Sequence, residues 1–228
     1  MTERIRSTAL LTRFNDNGGI EVGIDEAGRG PLLGRVYSAA VVLPHDEESF
    51  RHDLMKDSKR FTSDKKIREV AAYIKAHASH WGVGYATEEE IDQLNIRQAT
   101  FKAMHAAIAD AVGRPPPSTL LVVDGNDFKP YTYVDGDDGI VQVPHVCVER
   151  GDNRYTAVAA ASILAKVARD DYVAEICAED PSLDDKYGVL RNKGYGTRTH
   201  LEGIATHGIS KHHRRTFGSC RHHQKPSV

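Results

Sequence analysis

Cysteine is scarce and scattered: Cys147, Cys177 and Cys220 stand far apart and outside any CxxC pair. That spacing excludes a disulfide framework and a cysteine zinc site, and it favours a reducing, cytoplasmic setting. No apolar run approaches the roughly eighteen residues that a membrane-crossing helix needs. The opening stretch, MTERIRSTALLTRFNDNGG, has neither the apolar block nor the small-residue cleavage site of a secretory signal. Internal repeats and long low-complexity segments are missing as well. The net charge is only −2 and names no partner. What remains is a chain of 228 residues with 40% hydrophobic and 27% charged side chains, too apolar to be wholly disordered and sized for one domain with a small appendage.

The near-neutral total conceals an asymmetry. Residues 186–228 hold nine Lys and Arg against a single acid, Glu202, and six of the twelve histidines. The first 185 residues are correspondingly acidic. A basic terminal stretch beside an acidic body suits a binder of phosphate backbones with a carboxylate-lined site, although a solvated basic tail would read the same way.

Alternation at Ile20, Val22 and Ile24 predicts a strand over 19–24 that ends at Asp25, and a β-branched run predicts another over 36–43. Ile67, Val70, Ala71 and Ile74 have helical spacing behind the cap-like Thr62, Ser63 and Asp64. A strand is expected over 81–86. Thr87 and Glu90 form a capping box for a helix with Phe101, Met104, His105, Ile108 and Val112 on its apolar face. Strands follow over 119–123 and 140–148, then a long alanine-rich helix over 155–178. Strands first, then strand–helix alternation, predict an α/β fold with a mixed sheet and helices on its faces.

The segment GIDEAGRGP, residues 23–31, carries the most chemistry. Asp25 and Glu26 end an apolar strand, where carboxylates are well placed to hold a divalent cation. Gly28 and Gly30 leave backbone amides unshielded on either side of Arg29, so the loop can approach a sugar or phosphate closely. The glycines also mimic a dinucleotide fingerprint, and an oxidoreductase is one rival reading. However, Pro31 leads into a strand rather than a helix, and the acid pair would repel a pyrophosphate. Asp124 ends a second strand in the same way, and Asp152 precedes the long helix. Four carboxylates from three segments cluster only at high cost unless cations compensate them, and two divalent ions would clamp the attacking and leaving oxygens of a phosphodiester.

Beyond these blocks run DSK at 57–59, EIDQLNIRQATFKAMHAAI, LVVDG, ERGDNRY, AVAAASILAKVARD, NKGYGTRTH and HRRTF, in that order. Together they strongly resemble the ribonuclease HII family from about Ile20 to Phe217. The resemblance implies a ribonuclease H-like catalytic domain over 18–180 and a C-terminal helical extension over 181–217 that contributes substrate contacts; the residues GSCRHHQKPSV, 218–228, read by themselves as a disordered tail. It implies a monomeric, metal-dependent endonuclease using Mg²⁺ or Mn²⁺. Such an enzyme cuts the RNA strand of RNA/DNA hybrids and nicks duplex DNA 5′ of embedded ribonucleotides, leaving a 3′-hydroxyl and a 5′-phosphate. Asp25, Glu26, Asp124 and Asp152 match the catalytic and metal positions. Gly28, Arg29 and Gly30 match the loop that senses the 2′-hydroxyl, Tyr195 the tyrosine that stacks on the deoxyribose beyond the junction, and Lys59 a phosphate contact. Arg35, Tyr37 and Phe61 depart from the usual pattern beside these motifs. About 19 residues precede the first strand, too few for the extra N-terminal domain of the ribonuclease HIII type. A non-catalytic hybrid-binding module is the other rival.

Lys193, Arg198, Lys211, Arg214 and Arg215 are expected as a patch tracking the nucleic-acid backbone. The remaining candidates receive ordinary roles: Asp135, Asp137 and Asp138 a hairpin turn, His212 and His213 basic surface, Asp170 a lysine partner, Ser162 and Lys166 a packed helix face.

Overall fold

The computed structural model describes residues 9–15, 18–44, 46, 48–136 and 139–223. Its main sheet has five strands: β1 (Glu21–Ala27), β2 (Val36–Val42), β3 (His80–Ala86), β4 (Leu120–Asp124) and β7 (His145–Val148), in the order β3-β2-β1-β4-β7. β1 runs antiparallel to β2 and parallel to β4, and β4 runs parallel to β7. The sheet is therefore mixed, as the alternating pattern predicts. β5 (Thr132–Asp135) and β6 (Gly139–Gln142) form a separate hairpin. The expected turn at Asp135 lies there, whereas Asp137 and Asp138 lie outside the described residues.

Helices cover both faces. α1 (Asp64–His77) starts at Ser63, whose hydroxyl accepts from the Lys66 amide. It packs with α4 (Thr156–Glu179) on one face, where Ile67, Val70 and Ile74 meet Ala160, Ile163 and Leu164. On the other face lies α3 (Ile96–Ala111), whose Phe101, Met104 and Ile108 pack on Val22, Ile24 and Val123. The small residues of α4 let it lie almost directly on the sheet: a Cβ on Gly23 would sit 2.2 Å from the Ala157 carbonyl carbon. Only glycine permits that approach in the centre of β1.

Four features differ from the sequence-based expectations. β1 continues through Asp25 and Glu26 to Ala27, paired with Tyr37, so the acids belong to the strand itself. The helix after Thr87 is two: α2 (Glu88–Leu94), with its capping box intact, and α3, broken at Asn95, where φ is +68° and the Asn side chain caps the second helix. Residues 140–148 divide between the hairpin and β7, because Pro144 has no amide to continue a ladder while its carbonyl accepts from Leu121. At the C-terminus, Gly218–His223 forms a 3₁₀ turn with Cys220 fully buried, in place of the expected disorder; residues 224–228 lie outside the described residues.

α5 (Ser182–Tyr187), α6 (Val189–Asn192) and α7 (Arg198–His207) lie in the segment expected as an extension. Leu183, Tyr187, Val189, Ile204 and Cys220 share one apolar cluster with Leu32 and Leu33 and with Tyr172, Val173 and Ile176 of α4. Each large side chain fully buried there contributes roughly 1.5–3 kcal/mol. The extension is thereby fixed against the loop that follows β1.

Candidate active site

The parallel register of β1 and β4 pairs Gly23 with Val122 and Ile24 with Val123, so Asp25 and Asp124 stand side by side where that pairing stops. Asp25 is 5% exposed, and its Oδ1 accepts the Glu26 amide at 2.6 Å. Asp124 Oδ1 accepts the Gly151 amide at 2.6 Å, which ties the 3₁₀ turn Gly151–Asn153 to the end of β4. That turn carries Asp152, 6% exposed, whose Oδ1 accepts from Asn153 Nδ2 at 3.0 Å. Arg150, directly before the turn, adopts a left-handed backbone with φ of +56°.

The four acids feel one another. Burial pushes the Asp25 carboxyl well above its ordinary range, and Glu26, Asp124 and Asp152 push it further. Glu26 is also raised by burial, opposed chiefly by the Arg29 guanidinium 3.3 Å away. Asp152 is raised by burial, then by Asp124 and Asp57. A buried anionic group of this kind is what a cation relieves, and an all-oxygen donor set suits Mg²⁺ or Mn²⁺. Among the described residues, no three of these side chains are drawn close enough together to form a finished cage. Asp25, Glu26 and Asp124 line one cleft of about 430 Å³, while Asp124, Asp152, Asp57 and Lys59 line an adjoining hollow. Asp124 is the acid common to both, and Lys59 also lines each.

The same cleft is lined by Gly28, Arg29, Gly30, Lys59 and Tyr195, so it gathers the five expected substrate-binding residues. Gly28 has φ of +94°, and a Cβ there would press on the Arg35 carbonyl at 3.0 Å. Lys59 sits in the 3₁₀ turn Ser58–Arg60, whose start is capped by Asp57. Tyr195 is half exposed, and a Cβ on Gly30 would come within 3.4 Å of its ring.

Tyr195 is held from behind by two buried histidines. Ser210 N–H donates to His213 Nδ1 at 2.9 Å, so His213 carries its proton on Nε2 and donates it to His200 Nε2 at 3.0 Å. His200 then carries its proton on Nδ1 and donates to the Tyr195 carbonyl at 3.0 Å. The chain is satisfied only with both rings neutral. Accordingly, burial and the neighbouring His200 and His212 pull the His213 pKa down to about 3. The expected placement of His213 on a basic surface is thus corrected: it is 1% exposed.

Arg214 needs the same correction. It is fully buried beneath the Gly28 loop, with backbone carbonyls rather than solvent as its partners. Arg198 is exposed but pairs with Glu202 at 2.7 Å. Cleft residues not anticipated as site members include Asp57, Ser58, Ser162, Lys166 and Arg169. Ser162 Oγ donates to Ser58 Oγ at 2.7 Å, and Lys166 pairs with Asp170 at 2.7 Å, the partnership expected of Asp170. The helical spacing of Ser162, Lys166 and Arg169 was the available signal, since it places them on one face of α4.

The family model described as Ribonuclease HII matches residues 22–220. The chain belongs to the ribonuclease HII family. A ribonuclease HII of Parabacteroides distasonis is 45% identical over 91% of this chain and 94% of its own length. That of Porphyromonas gingivalis is 42% identical over 96% and 99% respectively. The fold is similar to ribonuclease H2 from Pyrococcus horikoshii OT3, with a TM-score of 0.66 at 24% identity, covering 89% of this chain and 96% of that one. The α/β architecture with its mixed sheet and flanking helices is therefore ribonuclease H-like. The protein is an endoribonuclease, a phosphodiester hydrolase.

Proposed function

We propose that this protein is a divalent-cation-dependent endonuclease that cuts the RNA strand of RNA/DNA hybrids. It also nicks duplex DNA 5′ of an embedded ribonucleotide, leaving a 3′-hydroxyl and a 5′-phosphate. The observation that carries this reading is the single cleft shared by Asp25, Glu26, Asp124, the Gly28–Gly30 segment and Tyr195. Hydrolytic acids and groups suited to a sugar lie side by side.

Asp25, Glu26, Asp124 and Asp152 would hold the cations, either Mg²⁺ or Mn²⁺. When bound, a pair of such ions neutralises charge on the phosphate and makes a water nucleophilic at neutral pH. The remaining work falls to the chain itself. Asp124 is fixed by the Gly151 amide, so its free oxygen has a defined direction. Arg29 restrains Glu26 and offers its remaining donors to a phosphate. The open amides of the glycine segment can hydrogen-bond a 2′-hydroxyl, the group that distinguishes RNA from DNA, without reading the base. Tyr195 offers a flat face for the deoxyribose on the 3′ side of the junction, and Lys59 a contact to backbone phosphate.

The deciding experiment uses a labelled DNA duplex with one internal ribonucleotide, incubated with Mg²⁺, with Mn²⁺ and with chelator. A cut on the 5′ side of the ribonucleotide that depends on cation supports the proposal. Binding without cleavage under every condition would favour a hybrid-binding module instead.

A further inference from the structure

The segment from Gly28 to Gly34 is held from beneath by a side chain for which the proposed reaction has no direct use. Arg214 Nε donates to the Gly34 carbonyl at 2.8 Å, Nη1 to the Arg29 carbonyl at 2.9 Å and Nη2 to the Gly28 carbonyl at 2.5 Å. The main chain around it is fastened to the same segment. Arg214 N–H donates to the Leu32 carbonyl at 2.8 Å, Leu33 and His213 form an antiparallel bridge, and Gly34 N–H donates to the His212 carbonyl at 2.9 Å. Phe217 lies against the guanidinium, 5.0 Å from ring centre to Cζ.

Burying a cation on neutral carbonyls is expensive, and a planar five-donor fork is the side chain able to do it in three directions at once. Burial and the like charge of Arg169 lower the Arg214 pKa to about 9, which still leaves it protonated at neutral pH. Arg169, by contrast, stands 3.6 Å from Asp170 and reaches across to the carbonyls of Leu33 and Lys193.

The three bonds have a geometric consequence. In a trans peptide, the carbonyl of one residue and the amide of the next point in opposite directions. Because the carbonyls of Gly28 and Arg29 turn inward to Arg214, the N–H groups of Arg29 and Gly30 turn away from it, on the side where these residues line the cleft. Among the described residues, neither amide meets a protein acceptor.

We propose that Arg214 is a positioning residue that aims the Arg29 and Gly30 amides into the cleft and so sets the discrimination between ribose and deoxyribose. This rests on the reading of the glycine segment given above. It separates two jobs within HRRTF: Arg214 faces inward to hold the loop, while Arg215 lies at the surface.

The test compares full-length wild type with Arg214→Lys and Arg214→Met, each first checked for cooperative melting. Lysine keeps the charge and one donor but cannot span three carbonyls; methionine keeps bulk alone. Two readouts are taken: binding in chelating buffer to an all-DNA duplex and to the same duplex with one ribonucleotide, and kcat and KM at the ribonucleotide. The expected result is that wild type binds the ribonucleotide duplex more tightly, that both variants lose this preference with affinity for all-DNA duplex unchanged, and that kcat/KM falls by about 100-fold. A purely structural role would depress binding to both duplexes alike, and variants that keep the wild-type preference would overturn the proposal. If wild type itself shows no preference, the reading of the glycine segment fails instead. Should Arg214→Met not fold, Arg214→Lys decides the question.

Discussion

The two walls of the cleft are built on opposite principles. On one side, carboxylates sit within β1 and at the end of β4, where ladder pairing fixes their spacing, and burial together with their mutual repulsion raises the Asp25 pKa. On the other side, the Gly28–Gly34 segment and the Lys193–Tyr195 turn are irregular, with positive φ at Gly28, Gly34, Lys193 and Gly194. There, buried arginines and a neutral histidine chain fix the backbone. The first wall concentrates charge and uses rigidity to keep it. The second brings only the cations of Arg29 and Lys193 to the cleft and spends its buried polar groups on orientation. On the proposed function, chemistry that needs a strong field is anchored to a sheet, whereas recognition of a sugar is given to backbone that only tertiary contacts can hold.

Removing charge from the first wall should separate the two most sharply. Asp124→Asn preserves size and the bond to the Gly151 amide through its remaining oxygen, but deletes the anion shared by both hollows. The expected loss in kcat is about 10³-fold or more, equivalent to the several kcal/mol that cation-assisted phosphoryl chemistry supplies. Hybrid affinity should be retained. Gel-shift titration beside single-turnover cleavage checks this, and a parallel loss of both would break the division between the walls.

Tyr195→Ala strikes the second wall. Its ring is half exposed and, among the described residues, its hydroxyl meets no hydrogen-bond partner, so the fold should survive. Loss of a stacking face is worth about 1.4 kcal/mol, hence about tenfold in rate. The loss should fall on single-ribonucleotide junctions rather than on continuous hybrids. Equal rates for the two substrates in the variant and wild type would remove the stacking role.

How legible each wall was in the sequence follows from the same contrast. Apolar alternation and strand-end acids announce β1 and β4 locally, and the Thr87–Glu90 box states where α2 begins. Such signals need only neighbours in the chain. The burial of Arg214 depends on carbonyls of residues 28, 29 and 34, far away in sequence, so HRRTF reads as basic surface until those carbonyls are in place. His213 misleads for the same reason, since Ser210 and His200 neutralise its polarity only in the folded chain. The break at Asn95 was hidden differently: a left-handed asparagine leaves the helical apolar pattern uninterrupted on both sides. The partition of catalytic, substrate-binding and tail segments likewise blurs, because the extension shares its core with α4.

A smaller effect tests whether the histidine chain belongs to the second wall. In the unfolded chain His213 titrates near 6.5, whereas in the folded protein it is held neutral down to about 3. The unfolded state therefore binds more protons throughout that window, so stability is present above pH 6.5 and is lost as pH falls through it. By pH 5 the loss is on the order of 2 kcal/mol. Melting curves from pH 7.5 to 5 should show a decline in wild type that is shallower in His213→Asn. An identical slope would detach the pair from the stability of this region.

The smallest expected effect concerns Arg198, whose place outside the cleft defines where the second wall ends. It is almost wholly exposed and pairs with Glu202 one turn along α7. An i,i+4 pair in that setting contributes about 0.3–0.5 kcal/mol, so Arg198→Ala should scarcely move the melting point. Its charge is already shared with a carboxylate, and it should neutralise less than one phosphate. The slope of log affinity against log salt should then change by less than about 0.9. Lys193→Ala provides the comparison, because Lys193 lines the cleft directly before Gly194 and Tyr195. A full unit of slope lost at Arg198, with none lost at Lys193, would move the nucleic-acid path from the cleft out onto α7.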